Sequence, residues 1–153
     1  MTPCGDEEPE LVNNMKMKYG AVLLSSLLTT SVLATSGEID CAKAATNYEV
    51  NHCAAIELEQ TQEELQRYLK TSLDLNQDDR ELSQAILNAQ QSWEQYYEAH
   101  CQAILTKWRE GTIRTTMALA CKTKLTKLRT HELWASFLTY VDNTSPELPE
   151  PQM

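Results

Sequence analysis

Apolar residues recur along most of this chain at a spacing of three to four, the period of a helix with one buried face. The pattern is clearest in the stretch A-Q-Q-S-W-E-Q-Y-Y-E-A-H-C from Ala89 to Cys101. Leu82, Ile86, Ala89, Trp93, Tyr97, Cys101, Ile104 and Trp108 form one stripe, and Gln91, Glu94, Gln95 and Glu98 fall mostly on the other side. This predicts a helix from about Arg80 to Arg109. Asp78 or Asp79 can cap it, because a short acceptor side chain satisfies the free N–H groups at a helix start.

Two more helices flank this one. An earlier stripe of Val50, Cys53 or Ala54, Leu58, Thr61, Leu65 and Leu69, with Tyr68 beside it, predicts a helix from about Thr46 to Lys70. The turn-like run Asp74-Leu75-Asn76-Gln77-Asp78-Asp79 separates the two. Gly111 breaks the second helix and Thr112 can cap a third, which uses Met117, Cys121, Leu125, Leu128, Trp134, Phe137 and Leu138 and ends near Tyr140. Residues 35–43 read as irregular, and the acidic, proline-rich segment 144–153 reads as disordered. With few glycines and scarce β-branched runs, the fold class is all-α: a three-helix antiparallel hairpin or bundle. Trp93, Tyr97, Leu125 and Leu128 are its expected core.

The N-terminal region carries a different pattern. Lys16 and Lys18 precede an uncharged, mostly apolar stretch of 13 residues, Ala21 to Leu33, with five Ser or Thr. Val32-Leu33-Ala34 ends it on residues a signal peptidase accepts. Residues 15–34 therefore read as a secretory signal peptide cleaved after Ala34, and the stretch is short and soft for a transmembrane anchor. Export to the periplasm, with no stable membrane insertion after cleavage, is the expectation. Residues 1–14 hold Asp6, Glu7, Glu8 and Glu10, where a signal peptide opens positive. They read as a mis-assigned start, with Met15 or Met17 the true one, or as a cytosolic extension. The expected helical domain is 35–143.

Four cysteines remain after cleavage: Cys41, Cys53, Cys101 and Cys121. An even number in an exported chain argues for two disulfides. No two are spaced as a compact zinc pattern or a C-x-x-C, and His52, His100 and His131 form no metal motif. No metal or cofactor is expected. Cys53 and Cys101 are equidistant from residue 77, in the turn, so an antiparallel hairpin sets them level. Cys101 and Cys121 are equidistant from Gly111, and that pair is not excluded. It would leave Cys41 to bond Cys53, and a continuous helix holds residues twelve apart about 18 Å from each other, beyond disulfide reach. The expected pairing is Cys53–Cys101 and Cys41–Cys121, with Cys41 in a non-helical lead that folds back.

Charge narrows the function classes. Formal net charge is −9, which argues against nucleic-acid binding. The sign is unevenly placed: Glu38 to Glu81 holds eleven acids and four bases, and Lys107 to Arg129 holds seven bases and one acid. In a bundle this imbalance is explained by the first helix attracting the third as well as by a partner site. Glu57, Glu59, Glu63 and Glu64 crowd the polar face of the first helix. Glu94 and Glu98 are four apart and could share a site, although such pairs on a helix surface are mostly solvated. No nucleophile elbow, phosphate loop or H-E-x-x-H is present, so no enzymatic activity is expected.

Several motifs resemble the LprI-type lysozyme inhibitor domain, a small exported bacterial domain. The family's centre, an alanine-glutamine pair, a tryptophan, an arginine-aspartate pair and a cysteine, falls on Ala89, Gln90, Trp93, Tyr97-Glu98 and Cys101. Its opening matches Asn51 and Cys53-Ala54. Its closing matches Cys121, Leu125-Thr126, Arg129 and Leu133, and Gly111 takes the place of a small residue before the last helix. The resemblance covers about residues 41–133. The chain departs at Tyr97, where the family has arginine, at Glu98, which keeps the charge of an aspartate, and at Glu64-Leu65, where the family has leucine-asparagine. The matched residues are chiefly those a cross-linked helical core needs.

The resemblance implies a protein partner, a basic lysozyme, met by an acidic face such as Glu57, Glu59, Glu63 and Glu64 and protecting the bacterial cell wall. The competing reading is an envelope protein-binding, chaperone-like or structural module with a different partner.

Overall fold

The boundaries of the helices follow from their end signals. In the computed structural model, which describes residues 39–142 and 144–153, helix α1 spans Asn47–Leu75, α2 spans Arg80–Lys107 and α3 spans Arg114–Leu133. The expected signal peptide and the first fourteen residues lie outside the described part. No strand occurs among the described residues, and the chain is all-α. No described helix is long and apolar enough to cross a membrane.

Thr46 opens α1 with a reciprocal cap. Its hydroxyl accepts from the Glu49 N–H at 3.2 Å, and the Glu49 carboxylate accepts from the Thr46 N–H at 2.9 Å. Backbone N–H groups of Thr46 and Ala45 hold Glu49 below the usual glutamate range. Asp79 caps α2 by accepting from Leu82 N–H at 2.9 Å. α3 starts two residues after the expected Thr112 cap, with Ile113 at its head and no side-chain cap. It passes into one wide π-helical turn, Trp134–Leu138.

α3 is the shared element. It packs along both α1 and α2, while α1 and α2 approach each other little. Asn51 and Thr116 meet near the starts of α1 and α3 (2.7 Å), and Leu133 joins Leu65, Tyr68 and Leu69 further along, so α1 and α3 run parallel. Glu98–Lys122 and Gln90–Arg129 contacts set α2 antiparallel to α3. The sequence charge imbalance resolves into one ion pair from α3 to each neighbour: Lys127–Glu57 at 3.0 Å and Lys122–Glu98 at 2.9 Å. Both are largely exposed, so each contributes about 0.2–1 kcal/mol.

The core sits toward one end of the bundle. Leu65, Tyr68, Leu69, Ile86, Leu133 and Leu138 are buried together, and Trp93, Trp134, Phe137 and Leu148 pack against them. At the other end α1 buries no residue before Leu58, and the disulfides are found there. The expected pairing is overturned: the bonds are Cys41–Cys53 and Cys101–Cys121, with Cα–Cα distances of 5.6 and 5.7 Å. The chain before Thr46 is not helical. Asp40 caps a short 3-10 turn, Cys41–Lys43, and this lead folds back beside the first turns of α1. The objection to a twelve-residue pair held only for an unbroken helix.

α3 departs most from its expected stripe. It buries Thr123, Thr126, Thr130 and Leu133. The Thr126 and Thr130 hydroxyls donate to Lys122 and Thr126 carbonyls, each at 2.9 Å, so their polar atoms are satisfied within the helix. Of the expected core, Tyr97 is buried, Trp93 and Leu125 are half-buried, and Leu128 is 36 % exposed and therefore not core.

The tail also differs from expectation. Rather than being disordered, Thr144–Met153 lies back on the bundle: Tyr68 Oη donates to Pro149 O at 2.7 Å, Trp134 Nε1 donates to Leu148 O at 3.0 Å, and Pro151 is buried. Burial first, and then the nearby Glu64 carboxylate, raise the Tyr68 phenol above its ordinary value.

Candidate binding groove between the first two helices

Because α1 and α2 both lean on α3, a cleft of about 430 Å³ stays open between them, within the range of small binding sites. Its floor is Leu65, Trp93, Tyr97 and Thr126. Gln62 and Gln66 of α1 and Glu94 and Glu98 of α2 form the walls. The Trp93 and Tyr97 rings lie 5.0 Å apart, and Gln62 Nε2 donates to Tyr97 Oη at 3.2 Å across the cleft.

A polar chain sets these side chains. Arg129 Nε donates to Gln90 Oε1 at 3.1 Å, and Gln90 Nε2 donates to Glu94 Oε1 at 3.2 Å. Arg129 also reaches Glu132 at 3.2 Å, while its buried Nη2 has no protein acceptor. Lys122 Nζ holds both Glu98 oxygens and lies 5.1 Å from the centre of the Tyr97 ring. No lysine or arginine lines the cleft itself. With Glu98 taken up by Lys122, the site offers the Glu94 carboxylate, oriented amides and aromatic surface, a set suited to a cation or hydrogen-bond donor from a partner.

The four acids expected on α1 do not converge. Glu57 turns toward α3 and its Lys127, and Glu64 pairs with Arg67 at 3.5 Å. Glu59 and Glu63 are exposed on the outward face, where helical register sets them beside Gln62 and Gln66 on the cleft rim. Glu63 and Glu64 share a shallow depression of about 360 Å³ with Gln60 and Arg67. Glu94 and Glu98, read as a candidate pair in the sequence, do share one wall. Gln62 and Gln66 carried no such signal, because a glutamine facing a cleft has the same spacing as one facing water; Gln90 was marked only by the family motif.

The sequence profile described as "Lysozyme inhibitor LprI" matches residues 41–133, a span that contains all four paired cysteines, the cleft and the Gln90–Arg129 contact. The chain belongs to the LprI family. Among curated proteins, it is 28 % identical over 130 residues to an uncharacterized protein of Rhizobium meliloti (strain 1021), covering 76 % of this chain and 94 % of that one. No solved structure matches. The LprI motif residues have plain physical roles here: Gln90 and Arg129 bond each other inside, Asn51 joins α1 to α3, and Cys101–Cys121 closes the α2–α3 connection.

Proposed function

We propose that this protein is an exported inhibitor of lysozyme that docks through the α1–α2 side of the bundle. The observation that carries the reading is the family match over 41–133 on a chain whose α1–α2 cleft is walled by carboxylates and amides and free of bases. Lysozymes are usually basic, so Glu94 and the rim acids Glu59 and Glu63 attract them and speed encounter. A lysozyme arginine or lysine entering the cleft would meet the Glu94 carboxylate and the Trp93 face together. Two disulfides fit an oxidising compartment, and residues 15–34 supply the expected route to the periplasm.

Titration of the oxidised protein against a panel of lysozymes, reading both binding and cell-wall hydrolysis, tests this. The expected outcome is inhibition near one-to-one that weakens with salt, and weakens further in a Glu59→Lys/Glu63→Lys/Glu94→Lys variant. Folded protein that binds no lysozyme in the panel would end this reading. A second one, an envelope protein-binding module with another partner, then draws support from the partly exposed apolar face of α3.

A further inference from the structure

The apolar stripe of α3 between Met117 and Leu128 is a strong sequence pattern that the core does not use. Met117, Cys121, Leu125 and Leu128 have the spacing of a core face, yet the threonine stripe is buried instead and these residues stay half-buried or exposed. On the α2 side, Tyr96, 53 % exposed, stacks on His100 with ring centres 5.4 Å apart, and Ile104 lies further along the helix. These side chains border an apolar groove of about 500 Å³. A second depression of about 350 Å³ lies across Ala120, Lys124 and Leu128, which line both, and reaches Met153. From Met117 to Leu128 the strip runs about 16 Å, three helical turns.

Charge decides what fits. Lys122 and Lys127 are already held by Glu98 and Glu57. Lys124 lies between them on the strip and makes no ion pair among the described residues. A second copy packed symmetrically on this face would bring two Lys124 side chains together, a like-charge contact with no acid lining the larger groove and with Glu57, which borders the second depression, already taken by Lys127. A basic lysozyme meets the same repulsion. A lipid surface would find one free lysine, too few for an anionic bilayer. We propose that the α2–α3 face is a second docking surface, for an amphipathic helix of a partner protein with about three turns of apolar contact and an acidic residue set against Lys124. Apolar side chains at i, i+3, i+4 and i+7 would fill the groove beside Tyr96, Leu125 and Leu128.

The probe is a synthetic helix of about four turns with leucines at those positions and glutamates on one flank, compared with the same peptide bearing lysines. Binding is followed by NMR shifts of the intact oxidised protein. The glutamate peptide is expected to move Tyr96, Ile104, Met117, Leu125 and Leu128 signals and to bind about tenfold more tightly than the lysine peptide. Lys124→Glu, a surface change, should reverse that preference, and Leu128→Ser should weaken both peptides. Both variants should act on lysozyme as the parent protein does, which separates this proposal from the preceding one. Absence of glutamate-peptide binding at millimolar concentration overturns it, as does binding that neither variant changes. Self-association abolished by Leu128→Ser, or capture on anionic phosphatidylglycerol vesicles in place of the peptide, overturns it as well.

Discussion

Replacing Gln90 with leucine should cost more than any surface change in this protein. Gln90 is 4 % exposed and is the acceptor for Arg129 Nε. The Arg129 guanidinium already has a buried nitrogen without a protein acceptor. Gln90→Leu removes a hydrogen bond to a charged group and leaves a second buried donor unmet, a loss of about 1.5–3 kcal/mol. The leucine recovers little, since the site is shaped by polar contacts. For a domain of this size that is a fall of roughly 6–12 °C in Tm. Thermal and urea unfolding of the oxidised protein would read it. The same reasoning predicts strong coupling: once Gln90 is gone, Arg129→Met removes the stranded charge, and the double variant should be about 1–2 kcal/mol more stable than the sum of the single changes implies. Additive losses, or a Gln90→Leu effect below about 0.5 kcal/mol, would show that the contact is not structural.

Other outcomes follow from the same structure. Non-reducing peptide mapping should recover Cys41–Cys53 and Cys101–Cys121, and each double-serine variant should lose about 3 kcal/mol. Mild reductant should open Cys41–Cys53 first, because Cys41 is exposed while Cys101 is 1 % exposed; thiol labelling would order the two. Thr46→Ala should cost about 1 kcal/mol by removing the α1 cap, read by denaturant midpoint. Glu49 is held below its ordinary range, so its part in the cap is present above the unfolded glutamate pKa and is lost as pH falls through the lower folded value. Glu49→Gln should flatten the acid limb of a stability–pH profile. Tyr68→Phe should free the tail from Pro149, cost about 1 kcal/mol, and raise amide exchange and proteolysis after residue 144.

The parts of the fold legible in the sequence were those set by local chemistry. Asp79 caps α2, the turn near residue 77 separates α1 from α2, and the stripe of Leu58, Thr61, Leu65 and Leu69 is the buried face of α1. The disulfide pairing was misread because the length of a continuous helix was applied to Cys41 and Cys53, although Cys41 lies in a lead that the sequence itself marks as irregular. A lead that folds back before the Thr46 cap brings Cys41 to Cys53 on the first turns of α1. α3 was misread because a count of apolar residues does not register threonines whose hydroxyls bond back to their own helix. The tail was misread from composition, which carries no information on where Leu148 and Pro151 land. The cleft depends on α1 and α2 diverging over α3, a tertiary outcome that no spacing encodes.

The separation of staples from core has a consequence for how the chain acquires its bonds. Each disulfide closes a short span, twelve residues in one case and twenty in the other, and each lies away from the cluster of Tyr68, Ile86, Leu133 and Leu138. Loops of that length close in well under a microsecond to microseconds, far faster than thiols oxidise. Neither pairing needs distant segments to have found each other, so oxidation can proceed on the emerging chain before the three helices assemble. The bonded cysteines then hand the slower, cooperative step a chain whose α2–α3 hairpin is already closed. Refolding from the oxidised, denatured state should accordingly be fast and single-phase, while refolding from the reduced state should be limited by thiol chemistry and not by a search among wrong long-range pairings.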